Sequence, residues 1–307
     1  MARTARPVVS PEIAASAGRT ATVWIDQGVG WLVVDGASAA RRVHEAGERD
    51  LQRVEVFPAP GGFIAVWSRA GEAKDEATVV TRARLFDLAG VPREAPRLVR
   101  RGRAARTRRV AADAHALYLF NTYATRRAGL PSQLLRVPLV PGGKVDAVAL
   151  EGVGRVVGYS TATALGMGSS THGVELFYDY PGASGVLWTR FSSAGKPTAT
   201  LAVFHQQVAG REPHRAVWHA GALIQAAADL PRDDEWGVRL MRRRLDRKPT
   251  YRLVVRGQKH VEQVRFAVLR LDDPTSPIAL LWQCKPPKAA AAKAFALRRL
   301  DVPSPFR

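Results

Sequence analysis

An arginine followed by an apolar residue recurs six times along this chain: Arg42 (RVHEAG), Arg84 (RLFDLAG), Arg136 (RVPLVPGG), Arg190 (RFSSAG), Arg244 (RLDRKP) and Arg299 (RLDVPSP). Their successive spacings are 42, 52, 54, 54 and 55 residues. Upstream of each, an apolar run ends at Trp24, Trp67, Phe120, Phe177, Ala227 and Trp282, between 13 and 18 residues before its arginine. A third landmark, Ile13, Val56, Val110, Val157, Val217 and Val268, precedes the second by 10 to 14 residues, except in the fourth unit, where the gap is 20. Three landmarks holding phase six times describe a repeat. A unit of this length cannot cover both of its own faces and must stack on its neighbours.

Gly, Pro and Asp turns cut each unit into four short β-branched or apolar runs, which read as strands. In the third unit these are Val110-Ala111-Ala112, Leu117–Thr122, Gln133–Val140 and Val145–Leu150. Units of about 40–55 residues with four strands each match a β-propeller blade. The expected fold is therefore all-β: a six-bladed β-propeller of four-stranded antiparallel blades, one domain over residues 1–307. The blades fall at about 11–50, 51–100, 106–150, 154–204, 214–256 and 262–307. The short first spacing leaves five or seven blades open. After Arg299 too little chain remains for a fourth strand, and Pro7–Ser10 offers a spare one, which predicts that this strand pairs with the last blade and removes its exposed edge.

The landmark tryptophans stand in Val-Trp-Ile, Val-Trp-Ser and Leu-Trp-Gln, without the Gly-His and Trp-Asp pair of WD40 repeats or the Ser-x-Asp-x-Gly-x-Thr-Trp box of sialidases. Over nearly its whole length the chain resembles divergent bacterial β-propeller repeat proteins with Val-Trp and Arg-Leu-x-x-x-Gly blades. That resemblance implies a fold and a bacterial setting and selects no function.

Composition fits one compact body: 46% of the residues are hydrophobic, and no low-complexity tract divides them. The basic start (Arg3, Arg6) lacks the apolar stretch of a signal peptide, and no run approaches the ~20 apolar residues of a membrane span. A single cysteine, Cys284, excludes an internal disulfide. The expectation is a cytoplasmic protein that does not enter a membrane. Pro286–Leu297, rich in Ala and Lys, has the strongest local helix propensity, whereas the repeat phase puts a strand at about Lys293–Leu300.

Familiar catalytic and metal-binding patterns are missing. There is no His-Glu-x-x-His, Cys-x-x-Cys, phosphate-binding Gly-Lys loop or Gly-x-Ser-x-Gly. His214 and His219 lie five apart, which on one strand points them to opposite faces. Cys284, beside Lys285, reads as an inert cysteine at a strand end. Asp233-Asp234-Glu235 and Asp272-Asp273 have the chemistry for a calcium site or a carboxylate pair, but acidic residues are also ordinary turn formers. Gly166–Gly173 reads as a loop inserted between two strands of the fourth unit, with backbone donors suited to an anion. No cofactor, metal or catalytic residue is assigned.

Charge is the most specific signal. Lys and Arg number 46 against 27 Asp and Glu, a net charge of +19. Arg97, Arg100, Arg101, Arg103, Arg106, Arg108 and Arg109 crowd into one segment, expected as the loop joining the second and third blades. Arg126 and Arg127 fall in a loop expected on the same face. Together they form a candidate basic patch that concentrates anions and steers acidic partners.

Three functions compete on these grounds. The first is a non-catalytic binding propeller that docks a partner protein in a bacterial multi-protein system, either monomeric alone or a subunit of a hetero-complex. The second is a nucleic-acid-associated propeller gripping the RNA or DNA backbone through the arginine patch. The third is an enzyme, a hydrolase or lyase, with its site at an axial mouth where the first strands converge. The first is the expectation, because catalytic motifs are absent and six blades offer a broad, rigid surface; against the third, the first strands offer mostly Ala and Val (Ile13-Ala14-Ala15, Val110-Ala111-Ala112) where an active site would need polar groups.

Overall fold

The computed structural model describes residues 9–70, 78–103, 107–112, 115–122, 133–149, 163–170, 173–179, 185–192, 196–204, 216–219, 222–229, 237–244, 250–256, 261–269, 273, 275–284 and 298–302. Among them there are 23 strands and no helix. β1 (Val9–Ser16), β2 (Arg19–Asp26), β3 (Val29–Val34) and β4 (Arg41–Arg42) make the first antiparallel sheet. Ser16 pairs with Arg19 and Asp26 with Val29, closing two-residue hairpins. Both turns have positive φ at both central residues, 48° and 76° at Ala17-Gly18 and 49° and 78° at Gln27-Gly28. This is the primed turn geometry whose twist matches that of the flanking strands.

The same up-and-down order repeats. The second sheet is β5 (Leu51–Ala59), β6 (Gly62–Ala70), β7 (Thr78–Asp87) and β8 (Arg97–Arg103). The third is β9 (Thr107–Ala112), β10 (Ala116–Thr122), β11 (Gln133–Pro138) and β12 (Asp146–Ala149). The fourth is β13 (Thr163–Ser170), β14 (Gly173–Asp179), β15 (Gly185–Phe191) and β16 (Pro197–Phe204). The fifth is β17 (Ala216–His219), β18 (Ala222–Asp229), β19 (Gly237–Arg243) and β20 (Thr250–Arg256). β21 (Val261–Val268), β22 (Ile278–Cys284) and β23 (Arg298–Val302) form a three-stranded last sheet.

The repeat landmarks acquire structural meaning here. Trp24, Trp67, Phe120, Phe177, Ala227 and Trp282 all lie on the second strand of their sheet. Arg84, Arg136 and Arg190 lie on third strands, opposite Ala65, Tyr118 and Glu175, each two residues before its landmark. Arg299 lies on a third strand opposite Leu281, one residue before its landmark, and Arg244 just past the end of β19; Arg42 departs furthest, standing on β4 opposite Trp31. The first-sheet residue that answers to Arg84 is Val33, opposite Thr22. Arg42 is thus a landmark taken one strand late, and the short first spacing does not mark a shorter unit.

Three expectations are corrected by strand pairing. Val9 and Ser10 open β1, with Val9 opposite Ile25 and a register shift between Val9 and Glu12, a stretch that includes Pro11, which has no backbone N–H to give the ladder. They belong to the first sheet, while Pro7 and Val8 lie outside the described residues. Gly166–Ser170 are part of β13, paired with β14 from Gly166↔Phe177 to Ser170↔Gly173, and are not an inserted loop. The first strand of that sheet therefore starts at Thr163, and Val157 lies outside the described residues. The last strand is Arg298–Val302, later than the repeat phase predicts; Pro286–Leu297 lies outside the described residues.

The chain divides into two compact units, residues 1–103, 228–239 and 252–307 in one, and 104–227 and 240–251 in the other. In the first unit β1 lies between β5 and β21. Alternation along β1 sends Ala14 into a core with Val23, Ile25, Leu32, Val54, Val56, Phe63, Trp67 and Phe86. Ile13 and Ala15 go into a second core with Ala267, Ala279 and Leu281. Phe63 through Trp67 are all fully buried, so both faces of β6 are covered. This is why its sequence is a continuous apolar run and not an alternation. In the second unit β13 lies between β9 and β17, and Leu117, Leu119, Phe120 and Val137 are buried.

Candidate functional site

Charged side chains enter the interior on first strands. Glu12 stands opposite Val23, Glu55 opposite Val66 and Arg265 opposite Leu281. Each of those partners immediately precedes a landmark tryptophan, Trp24, Trp67 or Trp282. The three charged residues therefore occupy one repeat position in three sheets, whose first strands are neighbours in the first unit. They are 8%, 7% and 4% exposed.

Hydrogen bonds join them, with Arg53, into two pairs, and Glu12 also acts electrostatically on Arg53. Arg265 donates through Nε to Glu12 Oε1 at 2.5 Å and through Nη1 to the Val264 carbonyl at 3.0 Å. Arg53, two residues before Glu55 on the same face of β5, donates through Nη2 to Glu55 Oε1 at 2.9 Å. The adjacent Glu55 carboxylate, opposed by burial and helped by Glu12, holds the Arg53 guanidinium above its ordinary range. Buried charges persist when they are paired and hydrogen-bonded, and this group satisfies that requirement internally. Its outlet is Arg53, whose side chain is 43% exposed. Each pair holds a carboxylate in a fixed orientation beside a guanidinium, and so supplies a proton acceptor and an anion anchor.

A second polar cluster fastens the connection from β4 to β5. The His44 ring accepts the Gly30 N–H at Nε2, 3.1 Å away, and its Nδ1 lies 2.8 Å from the Glu45 carbonyl. Those partners fix a neutral ring with its proton on Nδ1, and burial lowers its pKa below the ordinary value. Glu48 accepts the Trp67 indole N–H at 3.0 Å and pairs with Arg82 at 3.1 Å. These contacts are architectural: they tie the segment before β5 to Gly30 on β3 and to Trp67 and Arg82 of the second sheet.

The residues singled out from sequence are distributed as follows. Arg97, Arg100, Arg101 and Arg103 lie on β8, a strand and not the expected loop, because the segment pairs with β7 from Ala83↔Arg97 to Thr78↔Arg103. Arg97 is half-buried and paired with Glu94 at 2.9 Å, while Arg101 is exposed. Arg108 and Arg109 lie on β9. Arg106, Arg126 and Arg127 are outside the described residues, as are His214 and Asp233-Asp234-Glu235. His219 is buried on β17, and Cys284 ends β22. Asp273 accepts the Thr275 backbone N–H and hydroxyl at 2.8 and 2.7 Å, the bonding of a turn former; Asp272 lies outside the described residues. Among the described residues no three His, Cys, Asp or Glu side chains are grouped to hold a metal ion, and no helix is long and apolar enough to cross a membrane.

No family model matches the chain, and no curated protein matches it. Solved structures do. A mutant of an α-L-arabinofuranosidase from Fusarium graminearum, in complex with an iminosugar inhibitor, superposes with a TM-score of 0.58 at 11% identity, covering 97% of this chain and 93% of that one. The subtype N11 neuraminidase-like protein of A/flat-faced bat/Peru/033/2010 (H18N11) gives 0.50 at 8% identity, covering 97% and 86%. The fold is that of a β-propeller. A Pyrococcus horikoshii acylaminoacyl peptidase is also similar, with a TM-score of 0.45 at 11% identity over 97% of this chain, which spans 45% of that longer one.

These findings correct the expectation of a non-catalytic docking module. A propeller sharing this fold over almost the whole chain is an arabinofuranosidase. The ground for setting an enzyme aside, first strands without polar side chains, also fails. Ile13-Ala14-Ala15 follows directly on Glu12, and β5 and β21 carry Arg53, Glu55 and Arg265. Sequence reasoning passed over these residues because a charge among apolar neighbours on a strand ordinarily faces water. A signal was nonetheless present: glutamate immediately precedes the first-strand landmark in both of the first two units, at Glu12 and Glu55.

Proposed function

We propose that this propeller is a hydrolase acting on glycosidic bonds, with Glu12 and Glu55 as its working carboxylates. The observation that carries the reading is the recurrence of buried charge at one repeat position on β1, β5 and β21. Glycosidic hydrolysis uses a pair of carboxyl groups, one to protonate the leaving oxygen and one to act on the opposite side of the sugar ring. In this assignment Arg265 and Arg53 are positioning residues that orient the two carboxylates, and the exposed Arg53 guanidinium also receives the substrate's oxygen atoms. The likeness to an arabinofuranosidase supports the substrate class. The accompanying architecture is a single propeller domain of six blades, one for each antiparallel sheet.

The test is hydrolysis of a panel of 4-nitrophenyl glycosides, the α-L-arabinofuranoside included, by wild type, Glu12→Gln and Glu55→Gln. Removing a general acid or base typically costs ~10²–10⁴-fold in rate, and a loss of that size with an unchanged circular dichroism spectrum is expected for both variants. No turnover of any glycoside by wild type, or full activity in both variants, would overturn the assignment.

A further inference from the structure

One face of the first sheet carries an aromatic row that the charged pairs do not use. Alternation along β2 and β3 turns Val23, Ile25 and Leu32 into the core and sets Thr22, Trp24, Asp26, Val29, Trp31 and Val33 on the opposite, half-buried face. Strand pairing lines these residues up, Thr22 opposite Val33, Trp24 opposite Trp31 and Asp26 opposite Val29. Arg42 on β4 stands opposite Trp31 and continues the middle row. Its guanidinium carbon lies 5.6 Å from the centre of the Trp31 ring, within cation–π range.

Trp24 differs from its counterparts. The residues at its repeat position in other sheets, Trp67, Phe120 and Trp282, are 0%, 0% and 5% exposed, whereas Trp24 keeps part of its ring accessible. Two neighbouring indoles bordered by polar groups have the make-up of a binding surface. Its size and chemistry select the ligand. At ordinary strand rise and spacing the patch runs about 14 Å from Thr22 to Asp26 and about 10 Å from β2 to β4. That is far below the roughly 800 Å² each partner gives to a stable protein interface. A cationic ligand is disfavoured, because Arg42 already stacks on Trp31 and the chain carries a net charge of +19. A sugar ring suits the patch: its C–H face packs on an indole while its hydroxyls meet Thr22, the Asp26 carboxylate and the Arg42 N–H groups at the margins.

We propose that Trp24, Trp31 and Arg42 form a carbohydrate-binding platform for a short stretch of neutral polysaccharide. It is distinct from the carboxylate pairs, since Glu12 stands opposite Val23 and so on the other face of the sheet from Trp24. The choice of sugar as ligand class rests on the glycosidase reading, whereas binding to the platform requires no turnover.

The experiment is native gel electrophoresis of the whole protein toward the cathode, in gels with and without arabinan, xylan or a β-glucan. Neutral polymers are used so that the protein's own charge does not retard it. At least one polymer should slow wild type, and the polymer concentration giving half of that effect should rise about tenfold in Trp24→Ala and in Trp31→Ala. If an alanine variant does not fold, oxidation of wild-type indoles by N-bromosuccinimide, located by peptide mapping, takes its place: saturating polymer should slow the reaction at Trp24 and Trp31, and unchanged oxidation at both would refute the proposal. No retardation of wild type, or equal retardation of wild type and both variants, would overturn it. So would a wild-type dimer that Trp24→Ala abolishes, which would assign the face to a second copy of the chain. Turnover of 4-nitrophenyl glycosides is read separately. Retardation without turnover supports the platform and removes the glycosidase assignment, and turnover without retardation does the reverse.

Discussion

Replacing Arg265 by methionine probes the charged group most directly. Methionine keeps most of the side-chain length and removes the donor that meets Glu12 at 2.5 Å. Both side chains are largely enclosed, 5% and 10% exposed, so solvent compensates little for the lost partner. Removing one member of a buried pair costs about 3–5 kcal/mol, because a carboxylate is left where its charge is poorly solvated. Unfolding entropy of about 2.1 cal/mol/K per residue, taken over 307 residues, converts that loss into a fall of about 5–8 °C in Tm for one cooperative transition. Urea denaturation should show the midpoint falling with little change in slope. The decisive variant is Arg265→Met/Glu12→Gln. It removes both charges and should recover most of the loss, ending within about 2 kcal/mol of wild type, since a buried pair contributes little net stability over a neutral replacement. A single substitution costing less than about 1 kcal/mol would refute the reasoning, as would a double variant no more stable than Arg265→Met.

Two further outcomes follow from local geometry. The folded His44 imidazole has a pKa below its ordinary 6.5, so the folded state takes up a proton less readily than the unfolded chain. The stability it contributes is fully present above about pH 6.5 and is lost as the pH falls toward the folded value. Urea midpoints between pH 8 and 5 should show this decline, and His44→Gln should flatten that component. At Gly62 a Cβ would overlap the Phe86 carbonyl oxygen and lie 2.9 Å from Asp87 Cα, both of them backbone atoms. Gly62→Ala should therefore destabilise by at least about 1–3 kcal/mol, and an unchanged urea midpoint would show that β6 and β7 can separate without cost.

Much of the architecture is local and was legible in the sequence. The third-unit strands expected at Leu117–Thr122 and Gln133–Val140 appear as Ala116–Thr122 and Gln133–Pro138. β-Branched and apolar runs bounded by turn residues state their own extents, and a landmark such as Trp67 returns at a fixed distance because each sheet repeats the same pairing. Legibility ended wherever a residue's neighbours come from elsewhere in the chain. Arg42 matches the third-strand signature as well as Arg84 does, and only its pairing with Trp31 shows that it sits on the next strand. Arg97–Arg103 reads as a charged loop until β7 pairs with it. Glu12 and Arg265 are 253 positions apart. Each alone reads as a solvated charge on a strand. Local sequence sets whether a segment is extended, but whether a side chain meets water or a partner depends on the strand laid beside it, and that placement exists only in the folded sheets.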